Sequence, residues 1–241
     1  AVVRATVRDK SESSLSVAKF LNQAFAVFAR DLLDVLERSF VFERINDYVR
    51  TLDADAERVM TLQVFKFTFL RVVCTHADYV PLSYAVAPTF ASAHTLALDF
   101  WRRHFLPGLV LHEVARAFIA HRTSHAALTM ALDVLASLLR AHDLDARYAE
   151  HDDVRARIAA MYFPYVPLVL DRVALITDWR QVDRRRALLS LVWVLRNVSR
   201  SLLRRWWACE TQTRVLALLH ALRLAMKSWS SDDLSDAAAA T

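Results

Sequence analysis

Glu57–Cys74 reads ERVMTLQVFKFTFLRVVC, and the way this stretch folds decides the class of the whole chain. Phe65, Phe67 and Phe69 alternate with Lys66 and Thr68, the period of two expected of a half-buried strand. The wider window tells against that. Leu62, Phe65, Phe69 and Val72 fall at helical spacing, and no turn-forming residue interrupts the run. A strand of that length without a turn is rare, whereas a helix of that length is ordinary, so the stretch is expected to be helical. Composition agrees. The chain has 241 residues and one glycine, Gly108. Tight hairpins and bulges lean on glycine for positive φ or close backbone approach. Alanine, leucine and arginine dominate instead, all strong helix formers. The expected class is all-α.

Working outward, Phe20, Ala24, Phe28, Leu32, Val35 and Leu36 define one apolar face of a helix that starts near Ser13. Phe40–Leu52 reads as a second helix or a bent continuation. His76–Ser92, with Pro81 and Pro88, is the longest loop. Helices are then expected at about 93–103, 106–120 and 124–141, the last with a Leu128, Leu132, Leu135, Leu139 stripe. After the turn His142–Arg147, a helix at about 150–176 is interrupted around Pro164 and Pro167, because proline removes a backbone donor. Helices at about 184–197, 200–208 and 210–228 follow. Phe65, Phe69, Leu128, Leu132, Leu135, Leu188, Leu191 and Leu195 are the expected core. The domain plan is a flexible segment 1–12, one helical domain 13–229, and a disordered tail or linker 230–241. Helix pairs recur at roughly the 40-residue step of HEAT or armadillo units, which predicts a degenerate helical solenoid of nine or ten helices.

An apolar fraction of 55% and a charged fraction of 24% fit a folded protein and exclude disorder. Cys74 and Cys209 lack metal-ligand spacing and read as two buried thiols of a reducing compartment. No secretory signal opens the chain. Ile158–Leu170 is too short to span a bilayer, and Tyr79–Leu98 carries two prolines, a histidine and several hydroxyls. The chain begins at Ala1 and ends in Ala237–Thr241, and looks like a piece of something larger.

A search for chemistry finds near misses. One glycine excludes the phosphate-binding loop, the dinucleotide fingerprint and the nucleophile elbow. His112-Glu113 opens like a zinc-protease helix, but Arg116 stands at the second ligand position and cannot bind zinc. Arg122 occupies the glutamate position between His121 and His125. The acidic run from His142 to Asp153 fails as a calcium loop, with Arg147 at its fifth position and no glycine. Asp143 and Asp145 suit a turn instead, and Asp152 and Asp153 the first turn of the next helix. Trp101, Trp193, Trp206, Trp207 and Trp229 read as packing anchors. No catalytic, cofactor-binding or metal-binding residue is assigned.

The net charge of +5 is carried almost wholly by arginine. Arg196, Arg200 and Arg204 are spaced at i+4, with Arg205 beside them and Arg184–Arg186 earlier. An unbroken helix through 184–208 would line the first three into one stripe for an anionic membrane surface or an acidic protein segment. Ser199 and Ser201 are good N-caps, so a break there would scatter the stripe. The plain alternative is a solvated face. Nucleic acid is not an expected partner, since no base-stacking aromatics interleave with the arginines.

Five blocks carry a family resemblance: Leu33–Val49 (LDVLERSFVFERINDYV), Phe69–Pro81 (FLRVVCTHADYVP), Arg103–Val114 (RHFLPGLVLHEV, with Gly108), Leu138–Leu170 (LLRAHDLDARYAEHDDVRARIAAMYFPYVPLVL) and Ser190–Trp207 (SLVWVLRNVSRSLLRRWW). In this order they resemble the dedicator-of-cytokinesis (DOCK) family, its zizimin-like branches in particular. The resemblance implies the armadillo-like helical region between a lipid-binding C2-like domain and an exchange domain. It further implies a parent that activates Cdc42 or Rac through a separate domain, works in the cytoplasm or at the plasma membrane, and can form homodimers. The segment itself would be non-catalytic and without a cofactor, spacing and docking other parts. The rival reading is an independent helical-repeat adaptor that binds a peptide or helix in its groove.

Overall fold

The alternating phenylalanines lie on a helix. In the computed structural model, which describes residues 15–53, 59–84, 104–120 and 125–239 (without the side chains of 53, 59, 60 and 229–239), Val59–Val73 is continuous α-helix, α3 here. Its pattern looks strand-like because the helix is buried on most of its circumference. Leu62, Phe65, Lys66, Phe67, Phe69, Leu70 and Val73 are all inaccessible to water. A helix buried over most of its surface shows no single narrow apolar stripe, so local alternation does not mark a strand there.

Regular structure among the described residues is helical throughout. The chain divides into two compact units at Val134–Leu135. The first contains α1 (Leu15–Asp31), a single-turn 3-10 helix Leu32–Asp34, α2 (Arg38–Asp53), α3, α4 (Tyr79–Ser83) and α5 (Phe105–Ile119). α1 and α2 both pack on α3, and α5 packs on α2 and α4. α1 meets α3 through Ala18, Asn22, Ala26 and Ala29, small enough for close approach of the two backbones. α2 contributes Val41, Ile45, Tyr48, Val49 and Leu52, a helical stripe. Gly108 lies within α5, buried, where Phe105 stacks on Phe42 with centroids 4.5 Å apart.

α6 (His125–Leu144) carries the expected leucine stripe, all four members buried, and its residues divide between the units. The second unit continues with α7 (Ala146–Ala149), α8 (Asp152–Met161), α9 (Tyr165–Leu170), α10 (Val173–Ile176), α11 (Gln181–Asn197), α12 (Arg200–Cys209) and α13 (Gln212–Ala239). α8, α9 and α13 pack on α11. The interruption expected near the two prolines is a division into three short helices. Pro164 precedes α9 and Pro167 sits in its first turn, where the missing N–H has no intrahelical acceptor in any case. Tyr165 anchors α9 by donating its buried hydroxyl to the Ala187 carbonyl at 3.1 Å.

Of the expected core residues, all but Leu195 are buried, and Leu195 is half-buried; Cys74 is buried as expected, whereas Cys209, the last residue of α12, is exposed. The loop expected at His76–Ser92 contains α4. The segment 1–12, the helix expected at 93–103, Trp101 and His121 lie outside the described residues, as do the side chains of Trp229 and of the expected tail.

Candidate functional site

Three helices of the first unit are tied together by polar groups that periodicity cannot reveal. Asn22 on α1 donates from Nδ2 to the Phe65 carbonyl of α3 at 3.1 Å and accepts from the Tyr48 hydroxyl of α2 at 2.7 Å. Phe25, Tyr48 and Phe69 cluster round it, with centroids 4.7 to 5.8 Å apart. Burial raises the Tyr48 phenol, so the group stays a neutral donor. Nearby, Lys66 of α3 donates to Glu113 of α5, and each side chain is only 2% exposed. Arg116 approaches the other carboxylate oxygen at 3.5 Å.

Glu113 also lines a groove of about 230 Å³ together with Asn46, Val49, Arg50, Phe105, Leu109 and His112. Its two carboxylate oxygens face Lys66 and Arg116. The His112-Glu113 pair that opens like a zinc-protease helix diverges, with His112 outward and exposed and Glu113 inward. The groove thus sets the apolar Val49, Phe105 and Leu109 beside Asn46, Arg50 and the exposed His112.

A second cluster joins Asp34, His76 and Asp78, whose ligand-type atoms lie within 4.8 Å of one another. His76 is buried. Its Nδ1 accepts the Asp78 backbone N–H at 2.9 Å, and its Nε2 stands 3.1 Å from Asp34 Oδ1. A ring that accepts at Nδ1 carries its proton on Nε2, so Nε2 has no lone pair for a metal. The cluster brings the 3-10 helix Leu32–Asp34 against the residues just before α4, with the Asp78 N–H to His76 Nδ1 as its hydrogen bond and Asp34 as the carboxylate facing Nε2.

The basic residues singled out by sequence are divided. α11 ends at Asn197, and Val198 and Ser199 are extended. Ser199 Oγ accepts the Leu202 N–H and starts α12. Arg196 therefore stands on α11, and Arg200, Arg204 and Arg205 on α12, all four exposed. Arg184 donates to the Thr177 carbonyl at 3.2 Å. Trp206 is buried edge-on to Phe163 at 5.8 Å, whereas its neighbour Trp207 is half-exposed.

α1 shows the other surface feature. The stripe that looks apolar in sequence is the one left in water: Phe20 is 71% and Phe28 57% exposed, with Val17, Val35 and Leu36 beside them. The buried stripe is the alanine-rich one. A helix can present two apolar faces, and the larger side chains here did not take the interior.

The described architecture is an all-α domain of the helical-repeat type, with no helix among the described residues long and apolar enough to cross a membrane. A family model described as "DOCK6-11, TPR domain" matches residues 2–74. Human dedicator of cytokinesis protein 9 is 35% identical over 175 residues, 69% of this chain and 8% of that protein. Human dedicator of cytokinesis protein 8 is 30% identical over 204 residues, 73% of this chain and 10% of that protein. The Arabidopsis thaliana protein named guanine nucleotide exchange factor SPIKE 1 is 26% identical over 213 residues, 87% of this chain and 10% of that protein. No solved structure matches. The chain belongs to the dedicator-of-cytokinesis family and spans about a tenth of the length of these relatives. The model's description gives the repeat as the TPR type, a helix–turn–helix unit of about 34 residues.

Proposed function

We propose that this chain is a non-catalytic helical scaffold segment of a guanine nucleotide exchange factor, whose separate exchange domain acts on the Rho-type GTPases Cdc42 or Rac. The family places the chain among proteins one of which carries the exchange activity in its name. The observation that carries the scaffold role is the double-faced α1. Its alanines and Asn22 hold it to α3, and its large apolar side chains face outward. A helical-repeat domain presents such a face to the next packed element, because each repeat leaves apolar surface for its neighbour to cover. Exposed apolar patches of this kind mark interaction surfaces. The segment thereby fixes the spacing and orientation of the lipid-binding and exchange domains.

The test is Phe20→Glu/Phe28→Glu in the whole protein. GTPase activation in cells should fall, while the exchange domain expressed alone keeps its rate and the 241-residue chain keeps its melting temperature. Undiminished activation by the variant would remove the role given to this face.

A further inference from the structure

The structure assigns a second contact surface: the outward face of α12, made by Arg200, Arg204 and Trp207, docks on an anionic lipid bilayer. These positions follow one another at i, i+4 and i+7 and so share one side of the helix. The opposite side is fixed. Trp206 is buried against Phe163, Leu202 and Leu203 are half-buried, and Ser199 caps the first turn. The face is thus held in place by the fold.

Among the described residues its charge has no local counterpart. α12 contains no acidic residue. Glu210, which follows α12 directly, is engaged elsewhere: it pairs with Arg214 at 3.3 Å. Arg200 and Arg204 are exposed, with no acid partner among the described residues. Beyond the two arginines lies Trp207, 50% exposed. An indole half in water beside guanidinium groups matches a bilayer surface, where phosphates meet the cations and the ring settles at headgroup level. An acidic peptide would satisfy the arginines and leave the indole in water. The inference is independent of the exchange-factor reading, since it concerns only this chain's own surface.

The experiment is co-sedimentation of the 241-residue chain with phosphatidylcholine vesicles that contain phosphatidylserine, and with phosphatidylcholine alone. Binding should require phosphatidylserine and weaken as salt rises. Arg200→Glu/Arg204→Glu should weaken it by about tenfold or more. Trp207→Ala should weaken it several-fold while leaving the salt dependence in place. Arg223→Glu/Lys227→Glu, the same charge change on exposed residues of α13, should bind nearly as the unaltered chain does. Matching circular dichroism melts establish that the variants are folded. Absent binding to the anionic vesicles, equal binding to phosphatidylcholine alone, or an equal loss in the α13 control would each overturn the proposal. So would soluble polyglutamate binding that depends on Arg200 and Arg204 while vesicle binding does not.

Discussion

His142 lies inside the second unit with Nε2 at 2.9 Å from the buried Tyr162 hydroxyl and Trp193 close by. Burial is the main influence and drives its pKa from 6.5 down to about 4, against the opposing pull of Asp145 and Asp143. The folded state therefore holds His142 neutral where the unfolded chain would protonate it. Between pH 6.5 and 4 the unfolded state binds more protons, so the stability from this group is complete above 6.5 and is lost as pH falls through about 4. The loss amounts to roughly 3 kcal/mol. Urea denaturation across this range should give a visibly flatter pH profile for His142→Gln than for the unaltered chain; parallel profiles would assign the acid sensitivity to other groups. Lys66 and Glu113 make the opposite case of a charged buried pair. Removing one partner strands the other, so Lys66→Met should cost about 3–5 kcal/mol, and replacing both by apolar residues far less. Equal losses for the single and double variants would refute that coupling.

At the scale of the element, the break between α11 and α12 rests on one side chain. Ser199 has extended backbone, and its Oγ takes the Leu202 N–H. Ser199→Ala should cost about 1 kcal/mol in chemical denaturation. Capping is local chemistry, which is why this break, and the interruption at Pro164 and Pro167, could be read from the sequence. The same holds for the leucine stripe of α6, whose four members lie on one helix face and are all buried. Legibility fails where the deciding partner is distant. Asn22 looks like a surface residue until Tyr48 and Phe65 surround it, and Glu113 belongs to an apparent metal motif until Lys66 arrives from another helix. α1 misleads for a related reason. Its large apolar stripe outscores the alanine stripe on hydrophobicity, yet close packing on α3 selects the smaller side chains. The Asp34–His76 contact likewise joins positions that no local pattern links.

At the scale of the molecule, the division of labour in the proposed function can be tested on the chain alone. Prying a nucleotide from a GTPase requires groups that reach its phosphates or displace its magnesium ion, converging on one site. The polar clusters described above make contacts within the chain. Glu113 neutralises Lys66 and Arg116, Asn22 bridges three helices, His76 accepts a backbone N–H, and Asp171 and Glu210 hold Arg214. Two of these join separate helices: Lys66–Glu113 links α3 to α5, and Asn22 links α1 to α2 and α3. When this chain is added to Cdc42 or Rac loaded with a fluorescent nucleotide, release should proceed at the intrinsic rate at every concentration of the chain. Parallel circular dichroism should report a helix-dominated fold, which makes an inactive result a property of the folded segment. Concentration-dependent acceleration by the folded chain would place exchange chemistry within these 241 residues and reverse the assignment of this segment as scaffold.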